Sequence, residues 1–158
     1  MPRFIDKNAA LAMPPDAPLP KAWPAPILSV PADEARAWRE ANRLGSNPAI
    51  ALGPGSMGAS KRWPGYAEAA RLFIARGFDV WVIGGPGEKA LAEEIVRVGG
   101  PSVRDLTGTD LRNGILAMAA ASVAISNDSG LMHLAAACGA PAANTCSTSR
   151  TSPPARWR

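Results

Sequence analysis

The chain has 158 residues, 47% apolar and 19% charged, which suits one globular domain with a sizeable core and excludes a disordered chain. Net charge is +4, from 17 basic and 13 acidic residues, with no Lys/Arg block interleaved with aromatics, so no nucleic-acid surface is expected; an anionic ligand or plain solubility accounts for the excess. Two cysteines, Cys138 and Cys146, exclude a disulfide framework, and with the single histidine they make no zinc set, so no metal is expected.

Prolines crowd the first 31 residues (Pro14, Pro15, Pro18, Pro20, Pro24, Pro26, Pro31), which read as a linker or arm. Phe4 to Ala12 allow a short helix there, and Trp23, Ile27, Leu28 and Val30 allow an edge strand or a strap. The domain proper is expected over residues 32–145. Ala32 to Leu44 carries Ala35, Trp38 and Ala41 between charges, an amphipathic helix ending at Gly45. A regular alternation follows. Ala49–Leu52 is a buried strand and Tyr66–Arg76 a helix closed by Gly77. Phe78–Ile83 is a strand and Glu88–Val98 a helix, followed by a short strand near Val103. Asp110 caps a helix to Ala120. Val123–Ser126 is a strand, Ser129–Cys138 a helix, and Ala140–Ala143 the start of another strand. Residues 146–158 are polar and read as an irregular tail. Strands alternating with helices of this length predict an α/β fold: a Rossmann-like parallel sheet with helices on both faces.

Ligands of such sheets bind beyond the carboxyl ends of the strands. Three glycine-bearing turns fall there: Gly53–Gly55, Gly84–Gly87 and Asp128–Gly130. The third opens a helix directly after a strand, so free amides and the positive end of the helix dipole suit a phosphate at Ser129 and Gly130. Asp128 is read as the cap of that helix. His133 lies one turn in, structural or ligand-orienting. The first turn runs through Ser56 to Lys61, whose ammonium pairs with phosphate as a point charge; an ordinary exposed Lys–Arg pair is the alternative. Gly84 and Gly85 let a base or ribose approach the backbone.

Taken together, Pro54-Gly55-Ser56 with Lys61-Arg62-Trp63-Pro64, then Ile83-Gly84-Gly85-Pro86, Leu106-Thr107-Gly108 and Ser126 through Ala137 resemble the family-9 glycosyltransferases, the ADP-heptose:lipopolysaccharide heptosyltransferases and their relatives. The likeness spans residues 45 to 143. It implies one half, the carboxyl-terminal donor half, of a GT-B fold, and an inverting transfer of a sugar from an ADP-sugar to lipopolysaccharide core. It implies that Lys61 neutralises donor phosphate and leaving-group charge. It further implies that Ser129, Gly130 and Leu131 hold the diphosphate and that the chain near Thr109 contacts adenine. Ser56, Gly85, Asp128 and His133 complete the expected donor-binding set. No cofactor is expected, the ADP-sugar being a substrate.

Two departures bear on activity. The acceptor half and its general base are not recognised in the chain, so partners are expected to include a separate amino-terminal acceptor domain and a lipid-linked acceptor at a membrane surface. After Pro141 the text departs from the family, which suggests a truncated or frame-shifted product. The chain alone is therefore expected to bind donor and not to transfer sugar. The alternative is a non-catalytic nucleotide-binding module completed by another subunit. An NAD-binding domain is disfavoured, since G-x-G-x-x-G is not met and Gly84-Gly85 stands where an acidic residue belongs. With no run of 18 apolar residues and no signal-peptide core, a cytoplasmic location is expected, peripheral to the inner membrane at most. Trp23, Trp38, Trp63 and Trp81 are expected to form an apolar face where the acceptor domain docks.

Overall fold

Among the described residues, five strands pair in parallel in the order β3-β2-β1-β4-β5. They are β1 (Ala49–Gly53), β2 (Asp79–Val82), β3 (Val103–Asp105), β4 (Val123–Ser126) and β5 (Ala142–Asn144). The helices between and before them are α1 (Ala32–Ala41), α2 (Tyr66–Ile74), α3 (Lys89–Gly99), α4 (Leu111–Ala120) and α5 (Gly130–Ala137). The computed structural model describes residues 25–145 together with Leu11, Met13, Pro14, Ala17 and Pro18. Leu11 aside, the expected early helix, the Trp23 part of the strap, Cys146 and the tail lie outside the described residues.

Both faces of the sheet are buried, which is why its strands read as apolar runs rather than as alternation. Side chains still alternate with period two. Ala49, Ala51, Trp81 and Ile83 face one core, with Trp38, Leu116, Met118 and Ala135 from α1, α4 and α5. Ile50, Leu52, Val80 and Val82 face the other, with Tyr66, Ala70, Ala92 and Ile95 from α2 and α3. Each fully buried side chain of Leu or Val size contributes about 1.5–3 kcal/mol relative to exposure.

The tryptophans correct one expectation. Trp81 is fully buried and Trp38 nearly so. Their rings meet edge to face at 6.0 Å, with the Arg39 guanidinium 5.0 Å from the Trp81 ring. They are core, not a docking face, because Trp81 sits on the central part of the sheet and α1 covers it. Trp63 alone of the described three is exposed, packing against Tyr66 at 5.2 Å.

Helix ends also differ in detail. α1 stops at Ala41, short of Leu44. Arg43 takes the left-handed conformation (φ 52°), donating to Glu40 O while Leu44 N donates to Arg39 O. That pair of bonds is a Schellman closure made without glycine; burial of Leu44 under the sheet holds the strained residue in place. Gly77 (φ 83°) closes the next helix, with Gly77 N bonding Ile74 O and Phe78 N bonding Phe73 O. Asp110 caps α4 as expected, its side chain accepting from Asn113 N. Residues 25–30 form no regular element; Leu28 N donates to Ala137 O at the end of α5. Among the described residues, no helix is long and apolar enough to cross a membrane.

The strand order sets the site. The chain builds outward from β1 through β2 to β3, then crosses back to lay β4 on the other side of β1. Gly53 pairs in register with Ser126, so β1 and β4 end level and their following loops leave side by side. This switch of direction is where doubly wound sheets open a crevice.

Candidate functional site

A cavity of about 540 Å³ opens at that switch point. All three glycine-bearing turns reach it: Gly55 after β1, Gly84 and Gly85 after β2, and Asp128, Ser129 and Gly130 after β4. Of the residues singled out from sequence, Ser56, Lys61, Gly85, Asp128, Ser129, Gly130 and Leu131 line it. Thr109 and His133 do not. The Thr109 hydroxyl donates to Leu106 O, 3.0 Å, within its own turn, and His133 is exposed on α5.

Lys61 ends a 3-10 turn (Ala59–Lys61) in the loop after β1. Its Nζ lies 2.8 Å from Asp128 Oδ2, linking the two switch-point loops, with both side chains about half exposed. The Lys61 ammonium, by hydrogen bond and then by charge, holds the Asp128 carboxyl below its usual range. Asp128 is therefore not the helix cap. Ser129 is the N-cap residue, extended (φ −150°, ψ 172°), and its side chain makes no capping bond to the first turn. The Asp128 carboxylate turns toward the cation instead, leaving the leading amides of α5 to the cavity. Ser129 Oγ shares a 3.1 Å hydrogen bond with Ser126 Oγ. Ser56 is buried and donates to Asp128 O at 3.2 Å; Arg62 Nε donates to Ser56 O at 3.1 Å.

Sequence reading missed Glu88. It lies in the 3-10 turn Pro86–Glu88 after β2 and lines the cavity. Its side chain folds back over the glycines. A methyl group added at Gly55 would stand 2.7 Å from Glu88 Cγ, and one at Gly84 would stand 2.9 Å from Glu88 Cβ. Gly84 and Gly85 thus make room for a carboxylate of the protein as well as for a ligand. The second strand does have an acidic residue at its exit, six positions beyond Val82 and folded back. The only cue in sequence was its place one turn past a glycine pair. Met57 and Leu111, 94% and 67% exposed, add apolar surface at the rim.

The site therefore combines an ammonium, the start of a helix, a carboxylate and apolar rims in one concave space. Residues 1–144 match the model of glycosyltransferase family 9 (heptosyltransferase). The chain belongs to glycosyltransferase family 9. Lipooligosaccharide heptosyltransferase 2 of Haemophilus influenzae is 32% identical over 157 residues, covering 89% of this chain and 45% of the relative. The structure of Escherichia coli ADP-heptose lipopolysaccharide heptosyltransferase II superposes with TM-score 0.80 at 32% identity, over 90% of this chain and 47% of that one. E. coli heptosyltransferase WaaC with ADP superposes with TM-score 0.56 at 27% identity, over 62% of this chain and 33% of that one. The chain spans about half the length of the relatives it matches. Its fold is one Rossmann-like half of the family's GT-B architecture.

Proposed function

We propose that this chain carries the donor half-site of a heptosyltransferase, binding an ADP-sugar for transfer to lipopolysaccharide core. The carrying observation is that the Lys61 ammonium and the start of α5 meet in one cavity at the switch point, from loops 67 residues apart. In this reading the diphosphate lies on the Ser129, Gly130 and Leu131 amides, and Lys61 offsets its charge as it leaves with the nucleotide. Glu88 accepts from ribose hydroxyls, the role of the acidic residue beyond the second strand in dinucleotide sites. The adenine lies toward the rim at Leu111, two residues past Thr109. Family relatives named for ADP-heptose, and a neighbouring structure with ADP, support the choice of nucleotide.

Transfer requires donor and acceptor to be held together. The acceptor and the base that deprotonates it belong to a separate amino-terminal domain, working at the cytoplasmic face of the membrane that carries the lipid-linked acceptor. The test is a melting screen of the full chain with ADP, UDP, GDP and NADH. Ligand at 100 times Kd adds about 2.7 kcal/mol. ADP should raise the midpoint above the other three; no rise with ADP, or a larger one with NADH, refutes the donor reading.

A further inference from the structure

Asn127 has no exposed surface. Its amide stands where three chain segments meet. Nδ2 donates to Pro54 O at 2.7 Å. Oδ1 accepts from Trp63 N at 3.1 Å and from Thr145 Oγ1 at 2.8 Å. Pro54 O can only accept and the Trp63 N–H can only donate, so the amide has one chemically allowed orientation. Its own N–H bonds Gly53 O at 3.3 Å.

Pro54 and Trp63 are the two ends of the segment that carries Ser56, Lys61 and Arg62. Between them the segment faces solvent at Met57 and turns through Gly58 at φ 98°. A single buried side chain therefore pins both ends of the lysine loop. The same residue directly precedes Asp128, which pairs with Lys61 and accepts from Ser56. Base and tip of the ammonium's reach are set from one point immediately past β4.

We propose that Asn127 is the positioning residue of the phosphate site, holding Lys61 over the start of α5 through the two ends of the 54–63 loop. This deepens the donor reading above and rests on it. Removing the amide leaves Pro54 O and Trp63 N–H unpaired beneath the loop, so the loop drifts and the ammonium with it. The phosphate then meets helix amides alone.

The test is a double-mutant cycle on the full chain, reading ADP affinity by calorimetry at low temperature, where circular dichroism shows each variant folded. Asn127→Ser should weaken ADP binding about tenfold when Lys61 is present. In the Lys61→Ala background it should add less than about twofold. A residue that only stabilises the fold would not lose its effect on binding with Lys61. Equal penalties in both backgrounds, or unchanged binding in Asn127→Ser, overturn the proposal. Where Asn127→Ser does not fold, Asn127→Asp carries the same comparison: it keeps the acceptor for Trp63 and Thr145 and loses the donor to Pro54. Amide hydrogen exchange separates this proposal from the donor reading. If the unaltered chain binds no ADP, the donor reading falls. Faster exchange confined to residues 55–62 in the variant then upholds the clamp, and unchanged protection there overturns it.

Discussion

Replacing Lys61 with alanine separates two things this side chain does. In the folded protein it pairs with Asp128 at 2.8 Å, and both partners are about half exposed. An ion pair so placed is screened by solvent and contributes about 0–1 kcal/mol. The melting midpoint should fall by no more than about 4 °C for a domain of this size. The effect on ADP is much larger. A hydrogen bond between charged groups contributes about 1.5–3 kcal/mol, so its loss weakens binding roughly ten- to hundredfold. Asp128 then faces the diphosphate without the Lys61 ammonium between them, which adds to the loss in the same direction. Calorimetric titration of ADP into both proteins, beside their thermal melts, measures the two effects separately. Raising the salt concentration should narrow the gap between them, because the lost term is electrostatic. If Lys61→Ala binds ADP as tightly as the unaltered chain, the ammonium has no part in phosphate binding. If the midpoint collapses instead, Lys61 is a structural residue.

Three further outcomes follow from the same geometry. Gly55→Ala puts a methyl group 2.7 Å from Glu88 Cγ and must swing that carboxylate away; ADP binding should weaken about five- to tenfold with circular dichroism unchanged. Leu52→Ala empties a fully buried position in the second core and should lower unfolding free energy by about 3 kcal/mol in urea melts; a loss under about 1 kcal/mol would mean the core closes around the gap. Acid should destabilise the fold through Asp105 and Asp128, both held below the ordinary carboxyl range. At Asp105 burial pushes the other way, and the hydrogen bonds from Lys89 and Thr107 outweigh it; at Asp128 the Lys61 hydrogen bond leads. A lowered folded pKa stabilises above the unfolded value of about 3.9 and is lost as pH falls through the folded one. Urea midpoints should thus hold level from neutral to about pH 5 and drop below about pH 4, less steeply in Asp105→Asn.

The order of elements was legible because both faces of the sheet are covered and each strand reads as a short apolar run between glycine turns. The meeting of the three turns followed from parallel topology alone. What sequence could not supply was the direction of individual side chains. Asp128 looked like a cap because it precedes a helix, yet a lysine 67 positions earlier competes for its carboxylate and prevails. Trp38 and Trp81 looked like candidates for an exposed face because nothing local says which helix covers which strand. Glu88 and Asn127 were passed over for the same reason. Their partners are loops brought near only by tertiary packing, and neither belongs to a spacing that periodicity can reveal. The single-turn 3-10 segments left no pattern either, since three residues make only one turn and no side-chain period repeats within it.

The pairing of β4 against β1 has a bearing on how the protein acquires its ligand during folding. β1, β2 and β3 with their helices are neighbours in sequence and can associate early, through short loop closures. The cavity proposed to take the nucleotide forms only when residues past position 122 pair alongside residues near position 50, the longest-range strand contact in the sheet. A chain in which that seam is still open lacks the proposed donor site. Added ADP would act on the finished molecule, slowing its opening, rather than hastening its formation.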